Sequence, residues 1–234
     1  MDEKWRDDIM ISYPNVQICH GALKEYDFDK LKEYACTEFR NYPTYNFWYA
    51  NTEPSNHVER AIAKMMGYPR KHIEYWTRHG GGNPVDWHVD GDEVPWRTED
   101  VIRHGKKLDK EKDTQLSTTS YVLYIKLTDC ENGELMVLPY NKYVRGRGLL
   151  DPNYQPLEGS PILKIGPEEN MCVKLENNVY HKVAPILGGF RLSLVWSEWD
   201  FVPEGYKKHK HWTFKDDHVV PTVWLPNEHN YKEI

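Results

Sequence analysis

The sequence has few cysteines and no long hydrophobic run, and each shortage argues against a class of protein. Its 234 residues include four cysteines, which are far apart and form no Cys-x-x-Cys pair. This argues against a zinc ribbon or a dense disulfide framework. There is no run of roughly 18 apolar residues and no apolar signal-peptide segment at the N-terminus. We therefore expect a soluble protein of a reducing compartment, the cytoplasm, with no membrane partner.

An excess of positive charge is also missing. The 30 Lys and Arg residues stand against 36 Asp and Glu residues, and the formal net charge is -6. Such a chain has no general affinity for a phosphate backbone, so we do not expect sequence-independent binding to nucleic acid. The length suits one domain spanning 1–234, and nothing in the sequence indicates an oligomeric state.

The most informative short motif is His88-x-Asp90. On an extended strand, residues two apart project from the same face, so both side chains can reach one metal ion. A distant histidine, His181, lies in the strand-like run 179–185, which has turn residues on both sides. Two histidines and one carboxylate are the facial ligand set of non-haem Fe(II) oxygenases. A chain with 11 histidines contains a His-x-Asp tripeptide about once by chance, so the surrounding residues decide its meaning.

A second polar pair begins ten residues after His181. Residues 191–196 alternate as a half-buried strand does, which places Arg191 and Ser193 on the same face. A guanidinium inside a barrel needs a fixed anion, because an unpaired buried charge is costly. A carboxylate that accepts two hydrogen bonds is its natural partner.

Together these residues resemble the Fe(II)/2-oxoglutarate-dependent dioxygenases, and in particular their prolyl 4-hydroxylase-like branch. The resemblance covers roughly 72–199. Its motifs are His88-x-Asp90, the distal His181, Arg191-x-Ser193 with the lead-in Gly188-Gly189-Phe190 and the closing Trp196, and the segment 121–125 followed by Asn132-Gly133-Glu134-Leu135.

The chain departs from the family pattern at two places. The 90 residues between Asp90 and His181 form a longer step than the family usually needs. Asn132-Gly133 stands where many members carry two glycines. We interpret both departures as loop insertions that leave the site intact.

Turn signals divide the second half of the chain into short strands, which predicts a mainly β sandwich or jelly roll. They include Gly166-Pro167 and Gly188-Gly189. The resemblance implies a double-stranded β-helix (jelly-roll) core over about 72–199. The segments 1–71 and 200–234 are then N-terminal buttressing helices and an irregular C-terminal tail.

Two helices are predicted within this N-terminal segment. The first has Asp27 as its N-cap and buries Phe28 and Leu31. The second begins at Ser55 or Asn56 and ends at Gly67. Both are expected to support one face of the sheet.

The resemblance also implies roles for individual residues. The metal ligands would be His88, Asp90 and His181. The residues that hold 2-oxoglutarate would be Arg191, Ser193, Tyr124 and, as a further candidate, Tyr75. For Tyr124 the alternative is a core tyrosine whose hydroxyl is satisfied elsewhere.

The reaction implied by the resemblance is hydroxylation of a C–H bond with O2, Fe(II) and 2-oxoglutarate, with release of succinate and CO2 and with ascorbate as an accessory cofactor. The substrate would be a peptide or protein, with peptidyl proline favoured, or else a free amino acid or other small molecule. Alkylated nucleic acid fits less well, because Ser197 stands where that branch carries a second arginine. The alternative from another class is a non-catalytic jelly-roll module for binding or sensing.

Several polar stretches allow either a functional or a merely structural interpretation. His79 is a rival metal ligand, although a histidine beside three glycines is more typical of a solvated loop edge. His209-x-His211 has a metal-like spacing, but lysines surround it, which favours a basic surface run. The charged segments 91–116 and 140–161 are either lids over the substrate site or solvated excursions.

Overall fold

The computed structural model describes residues 10–37, 46–49, 51–67, 71–79, 85–91, 115–142, 156, 158–176, 178–203, 213–215 and 218–220. These residues form thirteen strands and two helices: β1 (Met10–Tyr13), β2 (Val16–Cys19), α1 (Glu25–Thr37), β3 (Asn46–Trp48), α2 (His57–Met66), β4 (His72–His79), β5 (Val85–His88), β6 (Thr119–Asn132), β7 (Leu135–Lys142), β8 (Leu163–Ile165), β9 (Cys172–Glu176), β10 (Val179–Val183), β11 (Ile186–Trp199), β12 (Thr213–Lys215) and β13 (His218–Val220).

Two antiparallel sheets form the core of the protein. The larger sheet has the order β1-β2-β9-β6-β11-β4-β3, and the smaller has the order β5-β10-β7-β8. Their facing sides share one buried cluster, formed by Val16, Ile18, Tyr124, Leu135, Val137, Ile165, Met171, Val173, Leu175 and Val179. The predicted mainly β architecture is confirmed, and the two packed sheets are consistent with a jelly roll.

The two helices cover the opposite face of the larger sheet, as predicted. Their apolar stripes join a second buried cluster together with residues of β4, β6 and β11. Asn56 is the N-cap of α2 and accepts a hydrogen bond from the Glu59 amide at 2.9 Å. Gly67 ends the helix with φ +79°, a conformation that favours glycine. This helix therefore has the boundaries that its sequence signals indicate.

The prediction for the start of α1 was wrong. The helix begins at Glu25, so Asp27 lies inside the first turn, where it pairs with Lys64 of α2. A carboxylate in this position still interacts favourably with the helix N-terminus. The buried face, which includes Phe28 and Leu31, is the predicted one.

Two further predictions are corrected. Gly188-Gly189 is not a turn between strands but lies inside β11, where the pairing with β6 shifts register. The cause is local: Gly189 has φ +74°, and a Cβ there would lie 2.1 Å from the Asp129 carbonyl oxygen. The tail is not wholly irregular, because β12 and β13 pair as an antiparallel hairpin. Their β-branched residues favour strands.

Neither helix of the described part of the chain has the length and apolar character needed to cross a bilayer.

Candidate metal centre and anion site

The two predicted histidine ligands are direct neighbours on adjacent strands. In the antiparallel pair β5–β10, His88 lies opposite His181, and their ring centroids are 4.3 Å apart. The sequence predicts His88 and Asp90 on one strand, but β5 ends at His88 and Asp90 follows it. Its backbone is fixed by a hydrogen bond from the Ser117 amide to the Asp90 carbonyl oxygen at 3.1 Å. The pairing of two strands and one short extension brings the three side chains together.

The ligand atoms of these residues form one compact group. Nε2 of His88 is 3.7 Å from one carboxylate oxygen of Asp90, and Nε2 of His181 is 3.8 Å from the other. All three ligand atoms lie within 4.8 Å of one another. Among the residues that the structure describes, no other group of three His, Cys, Asp or Glu side chains converges in this way.

Backbone carbonyl groups orient both imidazole rings. Nδ1 of His88 lies 2.7 Å from the Asp86 carbonyl oxygen, and Nδ1 of His181 lies 3.1 Å from that of Val179. A carbonyl oxygen can only accept, so each Nδ1 carries the proton and each Nε2 keeps its lone pair. Partners of this kind fix the tautomer that metal-binding histidines need.

The electrostatics of the group favour a bound cation. Burial, followed by the charge of His88, lowers the pKa of His181 to about 4. Burial alone would raise the pKa of Asp90, but His181, His88, Ser120 and Arg78 together bring the pKa of this carboxyl below its usual value. At neutral pH His181 is therefore a neutral imidazole and Asp90 is a carboxylate. These are the protonation states that bind a metal ion.

Arg191 and Ser193 lie on the inner face of β11 and have unmet hydrogen-bonding capacity. Arg191 is 8% exposed and Ser193 is 2% exposed. One guanidinium nitrogen, Nη1, donates to the Gly133 carbonyl oxygen. Nε of Arg191 and Oγ of Ser193 have no hydrogen-bond partner among the residues that the structure describes. Burial lowers the pKa of Arg191, but a guanidinium stays charged. A carboxylate would satisfy both groups.

Tyr124 lies beside Arg191 and Ser193, on the neighbouring strand β6. Its position in β6 is opposite Ser193 of β11, so the two side chains share one face of the sheet. The side chain is 1% exposed, and its hydroxyl has no hydrogen-bond partner within the described ranges. Burial raises the pKa of this phenol, which therefore stays protonated and can donate to an anion.

One cavity between the sheets contains both polar groups. Its atom-free space is about 570 Å³, part of which is open to solvent. The lining residues are Trp76, Arg78, His88, Asp90, Ser120, Val122, Tyr124, Leu135, Leu175, His181, Val183, Arg191, Ser193 and Val195.

The structure does not support the prediction for Tyr75. This residue faces the helices, where its hydroxyl donates to Glu59 at 2.9 Å and accepts from Asn56 at 2.9 Å. Successive residues of a strand alternate between its faces, so the β4 side chains in the cavity are Trp76 and Arg78. The rival ligand His79 is exposed and is not part of the metal-binding group.

The sequence reasoning missed Arg78, Trp76 and Ser120. The signal for the first two was present: Ile73, Tyr75 and Thr77 bury the odd-numbered face of β4, which leaves the even-numbered residues for the other side. The same alternation applies in β6. Tyr121 packs on the helix side, so the neighbouring Ser120 belongs to the face that lines the cavity.

Several predictions concern residues outside the described ranges. Most of 91–116 and 140–161 and the whole of His209-x-His211 are of this kind. Gly91 and Leu116 form an isolated β-bridge, which joins the two ends of the first segment beside Asp90. A role for either segment as a lid stays a prediction.

No protein-family model and no curated protein matches the sequence. Among solved structures, the chain is similar to a prolyl-4-hydroxylase from Pseudomonas putida, with 13% identity, a TM-score of 0.47 and coverage of 80% of this chain and 89% of that one. It is also similar to a 2OG-Fe(II) oxygenase family protein from Burkholderia pseudomallei (13% identity, TM-score 0.42, coverage 80% and 85%). A third is SnoN, a non-heme alpha-ketoglutarate-dependent epimerase from nogalamycin biosynthesis (10% identity, TM-score 0.46, coverage 79% and 79%). Similarity at this level does not decide function, so the functional argument depends on the site residues.

Proposed function

We propose that this protein is an Fe(II)- and 2-oxoglutarate-dependent dioxygenase that hydroxylates a C–H bond. One observation carries the proposal. A converging group of two histidines and an aspartate shares a cavity with a buried arginine and a buried serine, whose Nε and Oγ atoms have no hydrogen-bond partner among the residues that the structure describes. The first group suits a divalent metal ion with open positions. The second suits a carboxylate.

The residues fit both components of such a centre. His88, Asp90 and His181 would hold Fe(II), and Arg191 with Ser193 would hold the distal carboxylate of 2-oxoglutarate. When bound, the iron and 2-oxoglutarate supply the oxidising chemistry: 2-oxoglutarate and O2 become succinate and CO2, and one oxygen atom enters a C–H bond of the substrate.

The chain's own contribution is to bind, orient and exclude water. The hydrogen bonds from both Nδ1 atoms to backbone carbonyl groups hold the imidazoles with Nε2 towards the metal position. The bond from Arg191 to the Gly133 carbonyl oxygen fixes the guanidinium. Apolar residues, among them Leu135 and Leu175, line the rest of the cavity. Apolar walls limit the water that reaches a reactive site.

The outcome of the reaction depends on Asp90. Family members that halogenate lack the carboxylate ligand, whereas this chain retains it, which supports hydroxylation. Peptidyl proline is the narrower hypothesis for the substrate, and it depends on the resemblance of 188–196 to the prolyl 4-hydroxylase-like branch. A small molecule or free amino acid is the alternative. A non-catalytic module would have no need of the combined metal and anion groups.

The first experiment is an anaerobic titration of the Fe(II)-loaded protein with 2-oxoglutarate, followed by the visible charge-transfer band of the chelate. We expect a band in the wild type, no band in Asp90→Ala and weaker 2-oxoglutarate binding in Arg191→Ala. His79→Ala is the matched control, because it removes an exposed histidine outside the metal-binding group, and it is expected to keep the band. Absence of a band in the folded wild type would overturn the proposal.

A further inference from the structure

A second arginine, Arg78, lies next to the anion site and has no assigned role. It belongs to β4 and lies opposite Ser193 of β11, which lies opposite Tyr124 of β6 on its other side. Residues opposite one another in an antiparallel sheet share a face. Arg78 is therefore one strand away from the residues that would hold 2-oxoglutarate, and it lines the same cavity.

The guanidinium of Arg78 is unpaired in the described part of the chain. It has no carboxylate within salt-bridge distance and no hydrogen-bond partner there, and the residue is exposed. It nevertheless lines the same cavity as the metal-binding residues and Arg191, so its charge acts on the site. Arg78 is thus a free cation within electrostatic reach of the metal-binding group.

Among the residues that the structure describes, the charges of the loaded site leave Arg78 without a counter-ion. The two positive charges of Fe(II) and the one of Arg191 balance the single negative charge of Asp90 and the two of 2-oxoglutarate. Both histidines are neutral when they ligate a metal. Counted over the described residues, the site would therefore carry one unbalanced positive charge, on Arg78, when the substrate arrives.

We propose that Arg78 binds a carboxylate of the substrate. This inference rests on the proposed function and narrows its substrate class. The neighbouring residue on the same face of β4 is Trp76, which lies opposite Val195 and lines the cavity with it. A substrate whose carboxylate meets Arg78 would place an adjoining apolar group against this surface. A free amino acid or other small carboxylic acid has this form, so the inference favours the small-molecule alternative over peptidyl proline as the substrate.

The rival interpretation is that Arg78 only adjusts the charge of Asp90 from the rim of the cavity. The two interpretations differ in a binding measurement that needs no turnover. The metal is replaced by paramagnetic Mn(II), 2-oxoglutarate is added to saturation, and two small probes of similar size are compared by fluorine NMR relaxation. Trifluoroacetate carries the carboxylate, and trifluoroethanol is the neutral control.

We expect the bound metal to enhance the fluorine relaxation of trifluoroacetate about tenfold more than that of trifluoroethanol. The reason is that one charge-assisted hydrogen bond strengthens binding by about this factor. Arg78→Gln is expected to abolish the difference. Arg60→Gln removes one positive charge from α2, on the other side of the larger sheet, and is expected to preserve it. The proposal is overturned if the wild type does not prefer trifluoroacetate, or if the preference survives in Arg78→Gln.

Titration with 2-oxoglutarate separates this proposal from the assignment of the site. If Arg78 serves the substrate, Arg78→Gln changes the affinity for 2-oxoglutarate by no more than about twofold, an effect below that of one lost hydrogen bond. A loss of about tenfold or more would assign Arg78 to the cosubstrate and sink the inference while leaving the dioxygenase function intact. Failure of the metal-loaded wild type to bind 2-oxoglutarate would instead overturn the proposed function.

Discussion

Replacing Gly133 by alanine is expected to disturb the anion site while leaving the metal-binding group intact. Gly133 follows β6 with φ +81°, and its carbonyl oxygen accepts a hydrogen bond from Arg191. A Cβ at this position would lie 3.2 Å from Nη1 of Arg191 and 3.1 Å from Cγ1 of Ile186. Both contacts are tighter than ordinary van der Waals distance, so the guanidinium must move by a few tenths of an ångström, as must the isoleucine.

Two effects follow, and they have different sizes. A left-handed backbone costs an alanine roughly 1–2 kcal/mol. In a domain of this length each kcal/mol lowers Tm by about 2–4 °C, so we expect a fall of about 2–8 °C. Displacement of Arg191 weakens a charge-assisted contact worth about 1.5 kcal/mol, which corresponds to roughly tenfold weaker binding of 2-oxoglutarate. Affinity for the metal is expected to stay the same.

The matched control is Gly159→Ala. Gly159 has φ +79°, close to that of Gly133, but among the described residues other than its chain neighbours no atom lies within 4 Å of its would-be Cβ. It therefore imposes similar backbone strain without touching Arg191. Thermal unfolding and anaerobic titration of the chelate band would be measured for both variants. Equal 2-oxoglutarate affinity in Gly133→Ala and the wild type would refute the reasoning, as would an equal loss in both variants.

Three further predictions test other parts of the site and its support. Asp90→Asn keeps the side-chain shape but removes the charge. We expect at least about 100-fold weaker Mn(II) binding by calorimetry, a larger loss than substitutions outside the ligand shell cause. Unchanged binding would show that Asp90 is not a ligand. Ser193→Ala removes a buried hydroxyl without a described partner, so we expect Tm without ligands to hold or rise while the Tm increase on adding 2-oxoglutarate shrinks; the opposite pattern would indicate a structural hydroxyl. Burial raises the pKa of Glu59 above its usual 4.5, so the folded state binds its proton more tightly, and the free energy of unfolding should fall as pH rises from about 4.5 through the raised pKa. Glu59→Gln should flatten that part of the urea-denaturation profile, and an unchanged slope would contradict the assignment.

The sequence was most informative where one local rule decided the structure. The second helix is an example, because the cap residue Asn56 and the stop residue Gly67 act on their own backbone and do not depend on distant contacts. The Asn132-Gly133 turn is another: both residues have positive φ, as their types predict. The prediction that Arg191 and Ser193 share one face likewise needed only the alternation of side chains along one strand.

The errors occurred where a second chain segment determined the outcome. Gly188-Gly189 has the composition of a turn. Because β11 pairs with β6 on both sides of these glycines, the strand continues through them and the register shift forms a bulge. For Tyr75 a place in the pocket was only implied by the resemblance. Which face of β4 points inward depends on how that strand packs against the helices, and Glu59 with Asn56 fixes Tyr75 on the helix side.

The same alternation links the error at Tyr75 to the inference about Arg78. A strand that buries Ile73 and Tyr75 against the helices must turn its even-numbered side chains towards the smaller sheet. If β4 slipped by one residue, Arg78 would enter the helix side as an unpaired buried charge, and Tyr75 would lose its hydrogen bonds to Glu59 and Asn56. Both changes are costly, so the buried network at α2 also fixes the register that presents Arg78 to the cavity.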